Sequence, residues 1–71
     1  MKPLSAKQII KILIANGFVS VRQKGSHQIY SHKSSGIMVP IPFHGGNKAL
    51  PIGTFLAIVK QSKIPKDKFK L

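Results

Sequence analysis

Residues 18–32, FVSVRQKGSHQIYSH, decide the fold of this 71-residue chain. Apolar and polar side chains alternate over residues 18–24, with Val19 and Val21 on one face and Ser20 and Arg22 on the other, which predicts a half-buried strand. A turn at Gly25 lets residues 26–32 return as a second strand. The stretch therefore predicts a β-hairpin, around which the remaining elements must pack.

A helix is predicted before the hairpin. Ser5 followed by Gln8 fits a capping box, and Gly17 fits the position that ends a helix in a left-handed conformation. Between these signals the apolar residues follow helical spacing: Ala6, Ile9, Ile10 and Leu13.

A third strand is predicted at residues 37–41, after a turn at residues 33–36. Pro40 has no backbone donor, so this strand belongs at a sheet edge or carries a bulge. A second helix is predicted over residues 53–62, and a last helical turn over residues 65–71 lets Phe69 dock on the core. The predicted buried face of the second helix consists of Ile52, Phe55, Ile58, Val59 and Ser62.

The element order predicts an α+β fold in which two helices pack on one face of a three-stranded antiparallel sheet. The other face would stay exposed and carry Arg22 and Lys24. The length allows one domain, residues 1–71.

The charge balance narrows the classes of partner. Twelve Lys and Arg residues stand against one acid, Asp67, for a net charge of +11. Such a chain should bind an anionic partner, and nucleic acid is favoured over an anionic membrane surface or an acidic protein. No segment has the ~18 apolar residues of a transmembrane helix, the start lacks a signal-peptide pattern, and there are no cysteines. We expect a cytoplasmic protein that does not bind membranes.

A single acidic residue excludes several kinds of catalysis. Glycosidases need paired carboxylates, and two-metal nucleases hold their ions with carboxylates. Three converging histidines are not expected, because His27 and His32 are five positions apart and fall on opposite faces of a strand. Chemistry by His, Lys and Arg remains, and it suits RNA, which carries its own nucleophile, the 2′-OH. No metal or other cofactor is expected.

His27 shares its strand face with Ile29 and follows the glycine turn, near Arg22, Lys24 and Lys33. Spacing alone leaves two readings open, a strand histidine without a role and a catalytic group. His32 is expected at the surface of the strand end, and Tyr30, on the alternate face, in the core or on a base. Lys24 and Lys48 are candidate phosphate contacts. His44 is either an RNA contact or a solvated loop residue, and residues 53–54 either bind phosphate or simply begin a helix.

A family resemblance adds to this reading. The helix that leads into NGF, the motif VRQKGSHQIY, a Val-Pro strand end and LPIGTFLAIVKQSKI together resemble the HicA toxins of bacterial and archaeal HicA–HicB toxin–antitoxin systems. The resemblance runs from Leu4 to about Ile64. It implies a fold like the double-stranded-RNA-binding domain, with the order α-β-β-β-α. It also implies an mRNA interferase, a ribonuclease that cuts mRNA and stops translation until the antitoxin HicB neutralises it.

The resemblance implies that His27, the histidine of the Gly-Ser-His motif, is catalytic and that Gly25 and Ser26 form the turn that presents it. The leading hypothesis is therefore a metal-independent endoribonuclease with His27 as general acid or base. The alternatives are a non-catalytic RNA-binding module and, last, a membrane-surface peptide. The predicted RNA-binding residues are Arg22, Lys24, Gly25, Ser26, Lys33, His44 and Lys48.

Overall fold

A computed structural model describes residues 1–43 and 46–70 of the chain. The first helix, α1, spans Ala6–Ala15. The capping box is confirmed, because the Ser5 hydroxyl accepts from the Gln8 N–H at 3.3 Å while the Gln8 side chain accepts from the Ser5 N–H at 3.0 Å. Gly17 has a φ of +91°, the left-handed region that ends a helix most easily at glycine.

The three strands are β1, Phe18–Lys24, β2, His27–His32, and β3, Met38–Pro42. They form one antiparallel sheet in the order β1-β2-β3. The edge position that Pro40 predicts for β3 is therefore confirmed. The strand bounds differ from the predicted ones by a single residue, since β2 begins at His27 and β3 is shifted one residue along the chain.

The prediction that β1 is half-buried through Val19 and Val21 is wrong. Phe18 faces the helices, so Val19 points to the opposite, open face. Further along, Ser20 pairs with Tyr30 and Arg22 pairs with Ile29, which leaves Val21 as the extra residue of a β-bulge with 49% of its surface exposed. The bulge interrupts the alternation on which the prediction rested.

The second helix, α2, spans Ile52–Ser62. Its predicted buried face is confirmed for Phe55, Ile58, Val59 and Ser62, but Ile52 is 49% exposed. Ile52 is the first residue of α2 and lies beyond the edge of the core. Leu56, one turn later, is also exposed.

The last element is a 3₁₀ turn at Lys66–Phe69, which we call the C-terminal turn. Pro65 is its N-cap rather than its first residue. Phe69 is fully buried, as predicted, and its ring meets Phe55 edge-on at a centroid distance of 6.1 Å.

One core fills the space between the sheet and the helices, which confirms the predicted α+β class and the α-β-β-β-α order. Its buried hydrophobic residues are Leu4, Ala6, Ile9, Leu13, Phe18, Tyr30, Val39, Ile41, Phe55, Ile58, Val59, Ile64 and Phe69. Of the helices within residues 1–43 and 46–70, none has the length and apolar character to cross a membrane.

Candidate active site

His27 is the first residue of β2 and lies on the open face of the sheet. It pairs with Lys24 on β1 and with Pro42 on β3. Directly opposed residues point to the same side of a sheet, so these three side chains form a row across the open face. The side chain of His27 is exposed to solvent.

The turn before His27 is held from two sides. Gly25 has a φ of +61°, which glycine adopts without strain and which lets the hairpin close in two residues. The side chain of Gln23 donates to the Gly25 carbonyl at 3.1 Å, and the Phe43 N–H donates to the Ser26 carbonyl at 2.8 Å. These contacts fix the backbone from which His27 projects.

The predicted basic residues divide into two groups. Lys24 is opposite His27, and Arg22, opposite Ile29, lies in the neighbouring row of the same face. Lys33 follows the far end of β2, six positions from His27, or roughly 20 Å along an extended strand. The structure therefore places Arg22 and Lys24 beside His27 and leaves Lys33 apart.

One further predicted residue, Lys48, lies in the segment between β3 and α2. Lys48 is exposed and precedes Ala49, which bridges to Ser5 at the start of α1. His44 lies outside the described residues.

A cleft of about 560 Å³ runs from His27 across the β3 edge to α2. Its lining residues are His27, Pro40, Pro42, Gly53, Thr54, Ala57, Ile58 and Gln61. The α2 side of this cleft was missed by sequence reasoning, apart from residues 53–54. Gln61 is exposed on α2, and its amide donates to the Met38 carbonyl of the edge strand at 2.9 Å. No sequence signal joins these two residues, which are 23 positions apart.

The start of α2 gives this cleft an electropositive end. Pro51 is the N-cap residue and has no side chain that can accept a hydrogen bond from the first helical turn. Backbone N–H groups in that turn have no partner within the helix, and the helix dipole is positive there. Gly53 and Thr54 belong to this turn and line the cleft. An anionic group that enters the cleft therefore meets this end of α2 as well as His27.

The side chains of Tyr30 and His32 make packing and hydrogen-bond contacts within the fold and do not line the His27 cleft. Tyr30 is buried in the core, which confirms the packing alternative, and burial raises the pKa of its hydroxyl. His32 is not the free surface residue that its strand-end position suggested. It is partly buried, its ring meets Phe18 edge-on at 5.1 Å, and its Nδ1 accepts from the N–H groups of Ser34 and Ser35 at 3.1 and 3.2 Å.

The sequence profile of a family described as the HicA toxin of bacterial toxin–antitoxin systems matches residues 6–64. The chain belongs to the HicA toxin family. No curated protein matches it significantly. Membership makes this HicA protein the toxin of a toxin–antitoxin system and gives it a cognate antitoxin as partner. The match includes the whole sheet and both long helices, and thus every described residue of the His27 cleft.

Proposed function

We propose that this HicA toxin is a metal-independent endoribonuclease that cuts mRNA, with His27 as general acid or base. The observation that carries the proposal is the position of His27. It is exposed on a braced hairpin, at a cleft that ends at the start of α2, and beside Arg22 and Lys24. This arrangement combines an imidazole, which can accept or donate a proton, with positive charge that binds phosphate.

RNA itself provides the nucleophile, its 2′-OH, and the leaving group, its 5′-oxygen. The 2′-oxygen attacks the adjacent phosphorus, so that an O2′–P bond forms while the P–O5′ bond breaks. The 2′-OH loses its proton, and the leaving 5′-oxygen gains one. Neutral His27 can accept the first proton, and protonated His27 can donate the second. Lys24, opposite His27, and Arg22 in the next row would stabilise the charge that develops on the phosphoryl oxygens.

The antitoxin is proposed to be of the HicB type and to cover the His27 cleft. A toxin with a net charge of +11 offers an acidic partner strong electrostatic attraction. We place the activity in the cytoplasm, where mRNA is translated. A toxin that cuts mRNA would stop translation until the antitoxin binds.

The test compares the wild-type protein with His27→Ala on a defined RNA in the presence of EDTA. We expect the wild type to cut the RNA, and the variant to lose cleavage and growth arrest while its circular dichroism spectrum is unchanged. A matched RNA with a single 2′-deoxynucleotide at the cleavage site should resist the wild type. Lys11→Ala, an exposed change on α1, is the control and should leave cleavage intact.

The outcome of this comparison separates catalysis from binding. Cleavage that survives in His27→Ala would refute the role of this histidine. RNA binding in EDTA without any product from the wild type would favour the non-catalytic RNA-binding module, which the charge of the chain also supports.

A further inference from the structure

A second groove lies on the other side of α2, where the helix meets the segment that follows it. It has a volume of about 630 Å³. Its lining residues are Leu56, Val59, Lys60, Lys63, Ile64, Pro65 and Lys66, and we call it the basic groove. None of these described residues lines the His27 cleft. The two concave surfaces therefore use different sides of the same helix.

The floor of the basic groove is apolar and partly open to solvent. Val59 and Ile64 are buried beneath it, while Leu56 remains 43% exposed at its side. Pro65 adds a further apolar wall. A large exposed aliphatic side chain next to a concave apolar floor is typical of a site that receives an apolar side chain from a partner.

The groove is formed by the fold before any partner arrives. Lys63 ends α2 in a left-handed conformation, with a φ of +62°, and the residues that follow form the other wall of the groove. The buried Ser62 hydroxyl donates to the Val59 carbonyl at 2.8 Å and accepts from the Ile64 N–H at 3.2 Å. These bonds fix the segment after α2 that forms one wall of the groove. A ligand therefore does not have to order this segment when it binds.

The rim of the basic groove is positively charged on each side. Lys60, Lys63 and Lys66 are exposed around the floor, and none of the described lining residues is acidic. The one acid of the chain, Asp67, is adjacent to Lys66 in sequence. A partner that fits this surface has an apolar side chain flanked by carboxylates.

We propose that the basic groove is a docking site for an acidic amphipathic segment of the cognate antitoxin. The site is separate from the catalytic cleft and holds the antitoxin without occluding His27. RNA would satisfy the three lysines but would leave the apolar floor unfilled, whereas a peptide satisfies both. The proposal rests on the proposed function in one respect: the antitoxin neutralises the toxin by binding both the basic groove and the His27 cleft. Linking two contacts raises the overall affinity above that of either alone.

The experiment measures the affinity of the purified full-length toxin for its antitoxin by titration calorimetry. The antitoxin is obtained as the acidic protein encoded beside the toxin gene. Leu56→Lys removes the exposed apolar side chain, and Lys60→Glu with Lys66→Glu reverses charge at the rim. We expect each to weaken antitoxin binding by about tenfold or more, with cleavage of free RNA unchanged. The loss from the charge reversal should shrink as salt is raised.

Two matched controls are available. Ile14→Lys replaces an exposed aliphatic residue on α1 that lines neither the groove nor the His27 cleft, and Lys11→Glu reverses an exposed charge on the same helix. Both should bind the antitoxin within about twofold of the wild type. Circular dichroism confirms that each variant is folded.

Antitoxin affinity that Leu56→Lys leaves within about twofold of wild type would overturn the proposal. Loss of RNA cleavage with full antitoxin affinity would assign the groove to RNA instead, and a change in the mass of the free toxin by light scattering would assign it to self-association. Calorimetry does not depend on catalysis. If the wild type cuts no RNA, the proposed function fails, while the binding result still decides the docking site.

Discussion

The imidazole of His32 packs directly over Gly17. A Cβ atom at Gly17 would lie 2.9 Å from His32 Nε2, closer than van der Waals contact allows. The same histidine touches Phe18 edge-on and accepts two backbone hydrogen bonds from the β2–β3 turn. One side chain thereby connects the end of α1 to the far end of the hairpin, on the side of the sheet away from His27.

Gly17→Ala should destabilise the protein by about 2–4 kcal/mol, because the new methyl group meets His32 and the φ of +91° is strained for alanine. The measurement is urea denaturation. Gly36→Ala is the matched control, since its φ is +75° and a Cβ there would have no described atom within 4 Å. It should lose only about 1 kcal/mol from backbone strain. Equal losses in the two variants would mean that the contact with His32 is unimportant.

His32→Ala should reduce stability by about 1–3 kcal/mol, since it removes the acceptor for two backbone N–H groups and an aromatic contact. RNA cleavage at a temperature where the variant is folded should match the wild type. This outcome is the reverse of that expected for His27→Ala, which should lose cleavage and keep stability. A large loss of cleavage in folded His32→Ala would give this histidine a role that its position does not suggest.

Phe69→Ala should destabilise the protein by about 3–5 kcal/mol, because Phe69 is fully buried and packs edge-on against Phe55. A core formed by a chain of 71 residues is small, so this loss is a large part of the stability and we expect partial unfolding at 37 °C. Lys68→Ala, an exposed change in the same turn, should be close to neutral. The C-terminal turn lies outside residues 6–64, which the family profile matches. Thermal denaturation of both variants tests whether this turn unfolds cooperatively with the rest of the protein. A melting temperature unchanged by Phe69→Ala would show that it is not.

Tyr30→Phe should change the dependence of stability on alkaline pH. Burial raises the pKa of Tyr30 in the folded state above its ordinary value of about 10, because the ionised form is disfavoured in the core. At pH 8 the hydroxyl is neutral in both states and contributes no pH dependence. As the pH rises from 10 towards the folded pKa, the unfolded state ionises first and stability is lost.

The measurement is the difference in unfolding free energy between Tyr30→Phe and wild type at pH 8, 10 and 11. We expect the difference to shift in favour of the variant between pH 8 and 10, and further between pH 10 and 11. Deprotonation of the lysines affects both proteins equally and cancels. A difference that stays constant to pH 11 would contradict a raised pKa for Tyr30 in the folded state.

Lys24→Ala and Arg22→Ala should each weaken RNA binding and reduce its salt dependence. If each side chain contacts one phosphate of single-stranded RNA, the slope of log K against log salt should fall by about 0.7 per substitution. Binding is measured with His27→Ala protein so that the RNA stays intact. Lys11→Ala on α1 is the comparison, and an equal effect there would show that the open face does not form the RNA surface.

Local signals predicted most of the secondary structure. The Ser5–Gln8 box, the glycine at position 17 and the turn at Gly25 act through neighbouring residues, so they can be read without knowing the fold. The bulge at Val21 could not be read in this way, because it depends on which residue of β2 each residue of β1 meets. The exposure of Ile52 and Leu56 likewise depends on how far the core extends along α2.

The candidate site likewise has some features that the local sequence predicted and others that depend on the tertiary structure. Composition left His27 as one candidate, and the family resemblance made it the leading one, while the strand pattern predicted Arg22 and Lys24 on the open face. Only the tertiary structure brought α2 to the other side of the His27 cleft and the residues after Lys63 to the wall of the basic groove. Residue types and local spacing determine which chemistry is available and which turns form. Strand register and helix packing decide which distant side chains meet, because those contacts depend on the whole core being assembled.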